Sequence, residues 1–227
     1  MDYFKTMFLK KLYPIIKHLI WPRYCPVCGM ISSDCCWDCL ESLVANFPIF
    51  SLDNNSTYFP DEKGNETPCF AFAEHQGVSR EIILKLKYSG LKSVGIKMGR
   101  AIALKISPLM ADIILPMPLH YSSKREYNQA CLIAEGISSV YSIPVRTDIL
   151  EWSSNATAQT SSTARERKSL PHNSLQIKKD INGMKVILVD DVYTTGTTLR
   201  IAKHNIEKAG GKVVFAFVWT RRLRGHS

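Results

Sequence analysis

Residues 185–208 read KVILVDDVYTTGTTLRIAKHNIEK, and no other stretch constrains the fold as much. A short apolar run rich in β-branched residues, closed by polar turn residues, has the pattern of a buried strand in a parallel sheet. It leads through Asp190 and Asp191 into a loop of threonines around Gly196, and the next residues carry helical periodicity. In an open parallel sheet, ligands sit at the carboxyl ends of the strands. A loop of small hydroxyl residues opening a helix presents backbone N–H groups and the positive end of the helix dipole to an anion. Gly196 lets the backbone come close to it. There is no Gly-Lys-Ser/Thr, which excludes the nucleotide-triphosphate loop. Two acids ahead of an anion cradle would repel a bare phosphate. They suit a ligand with hydroxyls beside its phosphate, because carboxylates accept charge-assisted hydrogen bonds from a sugar diol. A ribose 5-phosphate fits, with Asp190 and Asp191 on the 2- and 3-hydroxyls and Thr194, Thr195, Gly196, Thr197 and Thr198 on the phosphate.

The same alternation extends over most of the chain. Residues 69–74 are strand-like, 77–90 and 93–106 helical, and 112–118 a buried strand ending in two prolines. Residues 122–142 are helical with Ser122 or Ser123 as N-cap, 144–152 hold a strand, and 212–220 form the last strand. Strands separated by helices predict an α/β fold with a parallel sheet flanked by helices. Residues 69–224 are assigned to this domain, 46–68 to a polar, turn-rich linker or irregular extension, and 1–45 to an N-terminal helix and cysteine module. With 227 residues, 45% of them hydrophobic, the chain has enough apolar material for its main core without staples.

Five of the seven cysteines fall between residues 25 and 39, as Cys25-x2-Cys28-x7-Cys36-x2-Cys39 with Cys35 inserted. Two CxxC knuckles this close can present four thiolates to one tetrahedral zinc. The expectation is a structural zinc-ribbon module whose folding depends on the metal. Cys35 competes as a ligand, and free or redox cysteines are the alternative. Residues 3–20 have amphipathic helical spacing broken by Pro14; the helix either packs on the body or meets a partner or a membrane surface. The longest apolar run, 213–219, is about a third of the ~20 residues a membrane span needs. Lysines interrupt the N-terminal apolar residues, unlike a secretory signal, so the chain is read as cytoplasmic with no membrane span. Lys and Arg number 29 against 20 Asp and Glu, a net charge of +9 that favours anionic partners.

VILVDDVYTTGTTL resembles the 5-phosphoribosyl-pyrophosphate (PRPP) motif of type I phosphoribosyltransferases. The order of segments along the chain resembles the ComF/GntX family of competence-associated proteins. These are the cysteine finger, Leu86-Lys87-Tyr88-Ser89-Gly90, Leu115-Pro116-Met117-Pro118-Leu119, Arg125-Glu126-Tyr127-Asn128-Gln129 and the motif at 190–198. Glu126 stands where that family usually has glycine. The resemblance implies a type I phosphoribosyltransferase-like fold, PRPP with Mg²⁺ as ligand, and displacement of pyrophosphate if the protein is an enzyme. It assigns Asp190 and Asp191 to the reacting ribose and Lys87, Met117 and Arg125 to PRPP. Asn128 and Gln129 are ligands of the acceptor or a loop, or else polar residues of the helix interior, and residues 153–169 are a lid carrying Arg165 and Arg167, or else a disordered insertion. It further implies a part in DNA uptake. The alternative is a non-catalytic accessory protein that binds single-stranded DNA or a helicase and keeps the fold as a scaffold.

Overall fold

The structure, a computed structural model, describes residues 22, 24–25, 27–32, 35–43, 49–56, 66–88, 90, 92–107, 110–120, 123, 125–153 and 172–222. The helix expected at 3–20, Ser122 of the two expected caps, and residues 154–169 of the expected lid lie outside the described residues. The chain divides into two compact units, Met1–Ser42 and Leu43–Ser227.

In the small unit the first knuckle is a tight hairpin. Tyr24 bridges Ile31, the Cys25 N–H donates to the Met30 carbonyl at 2.8 Å, and Gly29 turns the chain at φ 71°. The second knuckle runs into helix α1, Trp37–Ser42, whose Leu40 is fully buried.

The large unit opens with strand β1, Phe50–Ser51, inside the segment read as a linker. Then follow β2, Pro68–Glu74; helices α2, Gly77–Tyr88, and α3, Lys92–Ala103; β3, Ile113–Pro116; and α4, Gln129–Tyr141. Short strands β4, Leu150–Trp152, and β5, Leu175–Ile177, pair antiparallel with each other. The chain ends on β6, Lys185–Tyr193, α5, Thr197–Lys208, and β7, Lys212–Arg221. The five-stranded sheet has the order β1-β2-β7-β6-β3 and is parallel except for β1 at its edge.

Each face of the sheet is covered by helices, as its apolar strands require. Leu199, Ile201, Ala202 and Ile206 of α5 join Val186, Leu188, Ala216 and Val218 in one buried cluster. On the other face Trp219 stacks on Phe72, centroids 4.5 Å apart, and its indole N–H donates to the Ser79 carbonyl of α2. Helices α3 and α4 cross at Gly99 and Gly136: a Cβ on Gly99 would lie 1.9 Å from the Ile133 carbonyl oxygen, so neither position has room for a side chain.

Two elements differ from the expectation. Helix α4 starts at Gln129, capped by Asn128 and not by Ser122 or Ser123. The Asn128 side chain accepts the Ala130 N–H at 2.9 Å while its amide holds the Met117 carbonyl at 2.7 Å, so one residue anchors both the helix and the loop after β3. The segment 49–56 is built into the fold: Phe50 and Leu52 are core residues, and Asp53 pairs with the buried Lys203 of α5 while accepting the Thr67 N–H at 2.8 Å. Among the described residues no helix is long and apolar enough to cross a membrane.

Candidate functional site

Topology places the site. Strand β6 connects through α5 to β7 on one side, while β3 connects through α4 to Val145, which bridges Ile114 on the other. The connections diverge between β6 and β3, and the crevice outside the strand ends there is where an open α/β sheet takes its ligand. Asp190 and residues 192–199, at the end of β6 and the start of α5, line a small polar concavity.

Strand β6 runs longer than its apolar run. Asp190 pairs with Val218 and Tyr193 with Arg221, so both acids stand on a hydrogen-bonded ladder rather than on a loose turn. Thr194 and Thr195 are exposed, and the Thr195 hydroxyl lies 2.9 Å from that of Thr197. Gly196 caps α5 at φ 73°, and a Cβ there would lie 2.3 Å from the Tyr193 hydroxyl. Only glycine meets both demands. Tyr193 is a buried platform beneath the loop, edge-on to Phe50 at 4.9 Å. Arg200 donates to the Thr195 carbonyl at 2.8 Å and to the Tyr193 hydroxyl at 3.4 Å, fastening the loop to the first turn of α5.

The charged residues converge on the acids. The Lys87 ammonium, on the last turn of α2, lies 2.6 Å from Asp191 Oδ2. Burial, and then the Asp191 charge, push the Asp190 carboxyl up to about 7; the charges of Lys87 and Arg125 pull the other way. The Asp191 N–H donates to Asp190 Oδ1 at 2.8 Å. Arg125 also donates to Gln129 Oε1 at 2.8 Å. Folded protein therefore keeps a proton on Asp190 that the unfolded chain releases near 3.8, and stability falls as pH rises through the window from 3.8 to about 7. Replacing Asp190 with asparagine removes that slope. Urea midpoints are expected to move in the variant's favour between about pH 5 and about pH 8, and a constant difference would contradict it.

Met117 departs from its expected role. Its N–H donates to the Val189 carbonyl at 2.8 Å, extending the β3–β6 ladder one residue past Pro116, and its side chain is buried in the core. That N–H is committed to the sheet and does not face a pyrophosphate. The Pro118 carbonyl accepts from the Trp152 indole at 3.0 Å, which further fixes this loop. Asn128 and Gln129 are positioning groups of the loop and helix start.

His75, Arg200 and Tyr193 were not singled out by the sequence. His75 follows β2, bonded through Nδ1 to the Thr220 hydroxyl at 2.8 Å. Burial, then the charges of Arg222, Lys87 and Arg80, lower its pKa against the pull of Asp191, so its ring is neutral near pH 7. Its place at a parallel strand end was the available signal. Arg200 lies one helical turn beyond Gly196, the spacing that returns a side chain to the loop.

In the small unit the sulfurs of Cys25, Cys28, Cys36 and Cys39 all lie within 4.8 Å of one another. Cys28 and Cys36 are 3.7 Å apart, close to the ~3.8 Å edge of a tetrahedron with ~2.3 Å metal–sulfur bonds. Cys35 is fully buried and outside this group. Burial of the Cys25 thiol opposes ionisation, but N–H groups of Cys28, Cys36 and Val27 outweigh it and bring it down to about 6. The cluster has the ligand number and chemistry to hold a metal ion such as zinc.

Fold and site together define a doubly wound α/β protein with a glycine-threonine loop at a helix N-terminus and two carboxylates at its switch point. The sequence matches the phosphoribosyl transferase domain family over residues 94–225, and the chain belongs to that family. It is 30% identical over 106 residues to Competence protein F of Haemophilus influenzae, covering 44% of this chain and 46% of that one. It is 47% identical over 49 residues to an orotate phosphoribosyltransferase of Sulfolobus acidocaldarius, 22% of this chain and 25% of that one. The chain thus spans less than half the length of these curated relatives. Adenine phosphoribosyltransferase from Thermoanaerobacter pseudethanolicus aligns in structure with a TM-score of 0.42 and 16% identity, over 82% of this chain and 88% of that one.

Proposed function

We propose that this protein binds PRPP, or a closely related ribose 5-phosphate ligand, at residues 190–198. The observation that carries the reading is the combination at one switch point of the Gly196 cradle, open at the N-terminus of α5, with two carboxylates on the strand feeding it. The threonine hydroxyls and the loop N–H groups hold the 5-phosphate. Asp190 and Asp191 accept from the ribose hydroxyls, and Lys87 and Arg125 supply positive charge to the pyrophosphate. Mg²⁺, which binds through one or two carboxylates and substrate phosphates, suits this donor set and would neutralise charge on the leaving pyrophosphate. The reaction such a site supports is attack by a nitrogen nucleophile at C1. The N–C1 bond forms, the C1–O bond breaks with its electron pair leaving on pyrophosphate, and the nitrogen loses a proton. Contacts to the remote 5-phosphate contribute by fixing the reacting carbon. A structural zinc on Cys25, Cys28, Cys36 and Cys39 belongs to the same proposal.

Calorimetric titration with PRPP, with and without Mg²⁺, tests it. Wild type is expected to bind in a magnesium-dependent way, and Asp190→Asn/Asp191→Asn to lose at least ~100-fold, as two charge-assisted acceptors are removed. No binding by wild type at millimolar PRPP would refute the reading.

A second reading, an accessory role in DNA uptake, is favoured by the similarity to Competence protein F and by charge segregation. Lys85, Lys87, Lys92, Lys97, Arg100 and Lys105 lie between residues 82 and 111 with no acid among them. Single-stranded DNA or a helicase is the partner proposed there. DNA binding of this kind weakens steeply with salt and survives Asp191→Asn, whereas PRPP binding does not.

A further inference from the structure

Lys87 and Asp191 form an ion pair at 2.6 Å with side chains only 13% and 14% exposed. A pair so far out of water holds well while both partners stay matched, and either one becomes a liability when the other is taken away. Asp191 is also one of the two carboxylates that ribose hydroxyls must reach. A ligand that draws on Asp191 therefore weakens the hold on Lys87, and does so without penalty only if it brings Lys87 an anion of its own. The surroundings favour such an anion. Lys87, Arg80 and Arg222 all bear on His75 against the opposing charge of Asp191, so this end of the sheet carries cations besides Lys87. Asp191 is the only carboxylate within ion-pair distance of Lys87 among the described residues.

We propose that Lys87 sets the ligand class of this site by exchange: it leaves Asp191 for the pyrophosphate of an incoming ligand, and so selects ribose 5-phosphates bearing an anionic group at C1 over ribose 5-phosphate itself. The inference rests on the reading of residues 190–198 as a ribose-phosphate site. Lys87 is a discriminating residue in two directions. Its pairing with Asp191 disfavours the ligand that lacks the C1 anion, and its release rewards the ligand that carries it.

The test is calorimetry of the full chain with PRPP and with ribose 5-phosphate at one fixed Mg²⁺ concentration, for wild type, Lys87→Met and Lys87→Arg. Lys87→Met is expected to bind PRPP about 30-fold more weakly and ribose 5-phosphate several-fold more tightly, so that the preference collapses by about 100-fold. Lys87→Arg keeps the charge and is expected to keep most of the preference. Opposite movement of the two ligands is what a merely structural lysine would not produce. Equal weakening of both ligands, or an unchanged ratio, overturns the exchange.

A second measurement starts from wild type. In wild type, saturating inorganic pyrophosphate should tighten ribose 5-phosphate binding, because it has already drawn Lys87 from Asp191. The effect on the two ligands must be reciprocal. Two neighbouring anions without this exchange would repel, so antagonism or independence in wild type also overturns the proposal. Coupling that persists in Lys87→Met would trace to the metal instead and overturns it as well. If wild type binds neither PRPP nor ribose 5-phosphate, the reading of the site fails and the exchange with it. If wild type binds PRPP but its preference does not depend on Lys87, only the exchange fails.

Discussion

Gly196→Val is expected to abolish measurable PRPP binding, a loss of more than ~100-fold, while leaving the sheet folded. Position 196 sits at φ 73°, where a β-branched residue is a steric outlier, and its first side-chain atom would meet the Tyr193 hydroxyl at 2.3 Å. Tyr193 cannot swing aside easily, because it is buried against Phe50 and held by Arg200. The loop must therefore move, and the backbone donors of the cradle move with it. Strain at a left-handed non-glycine residue and overpacking together cost about 2–4 kcal/mol, enough to lower the melting temperature without unfolding the chain. Titration with PRPP beside thermal denaturation separates the two effects. Binding within a few-fold of wild type would show that the loop N–H groups do not hold the phosphate. Thr194→Ala provides the contrast: its side chain is exposed at the loop's entry and is expected to lose only several-fold.

Removing metal from the cysteine cluster is expected to unfold residues 24–42. Among the described residues of this unit Cys25, Cys35 and Leu40 are buried, and a short stretch of chain gains much of its folding energy from a bound metal. Cobalt provides the direct measurement. One Co²⁺ per chain should bind with the intense sulfur-to-cobalt charge-transfer absorption of a four-thiolate site, and a chelator or Cys25→Ser or Cys39→Ser should remove it. Hydrogen exchange should then show protection lost across 24–42, with strands β6 and β7 as the internal reference. Stoichiometric folding of this unit in metal-free protein would reject the metal site. Cys35→Ser, outside the cluster, is expected to leave the cobalt spectrum unchanged, although the polar hydroxyl replaces a buried thiol.

Much of this was legible because the signals were local. The parallel strand, the threonine loop and the helix of 185–208 are contiguous, and each follows from short-range pattern: apolar β-branched residues, then glycine, then helical periodicity. The cysteine spacing likewise specifies a cluster, since two knuckles bring four sulfurs together whatever surrounds them. The α4 start was misjudged for a definite reason. Ser122, Ser123 and Asn128 are all good caps by residue type, and Asn128, which takes the role, also ties down the Met117 carbonyl, a contact that sequence spacing does not show. The role of Met117 was misjudged for a related reason. Whether an N–H after a strand faces a ligand or extends the ladder depends on the register of β3 against β6, and no local pattern encodes that.

What the sequence determined by itself was therefore the chemistry on offer: a glycine-threonine loop opening a helix, two adjacent carboxylates, four cysteines at ligand spacing, and an α/β order of elements. Each is a property of neighbours along the chain. Tertiary structure decided which distant residues meet them. It brought Lys87 from α2 onto Asp191, bonded His75 to Thr220 at the end of β7, placed Tyr193 and Arg200 against the loop, and drew Asp53 onto Lys203 so that the segment read as a linker became an edge of the sheet. These contacts depend on strand order and register. They are fixed by the burial of whole faces of the sheet, and a single residue's neighbours in sequence carry no record of them.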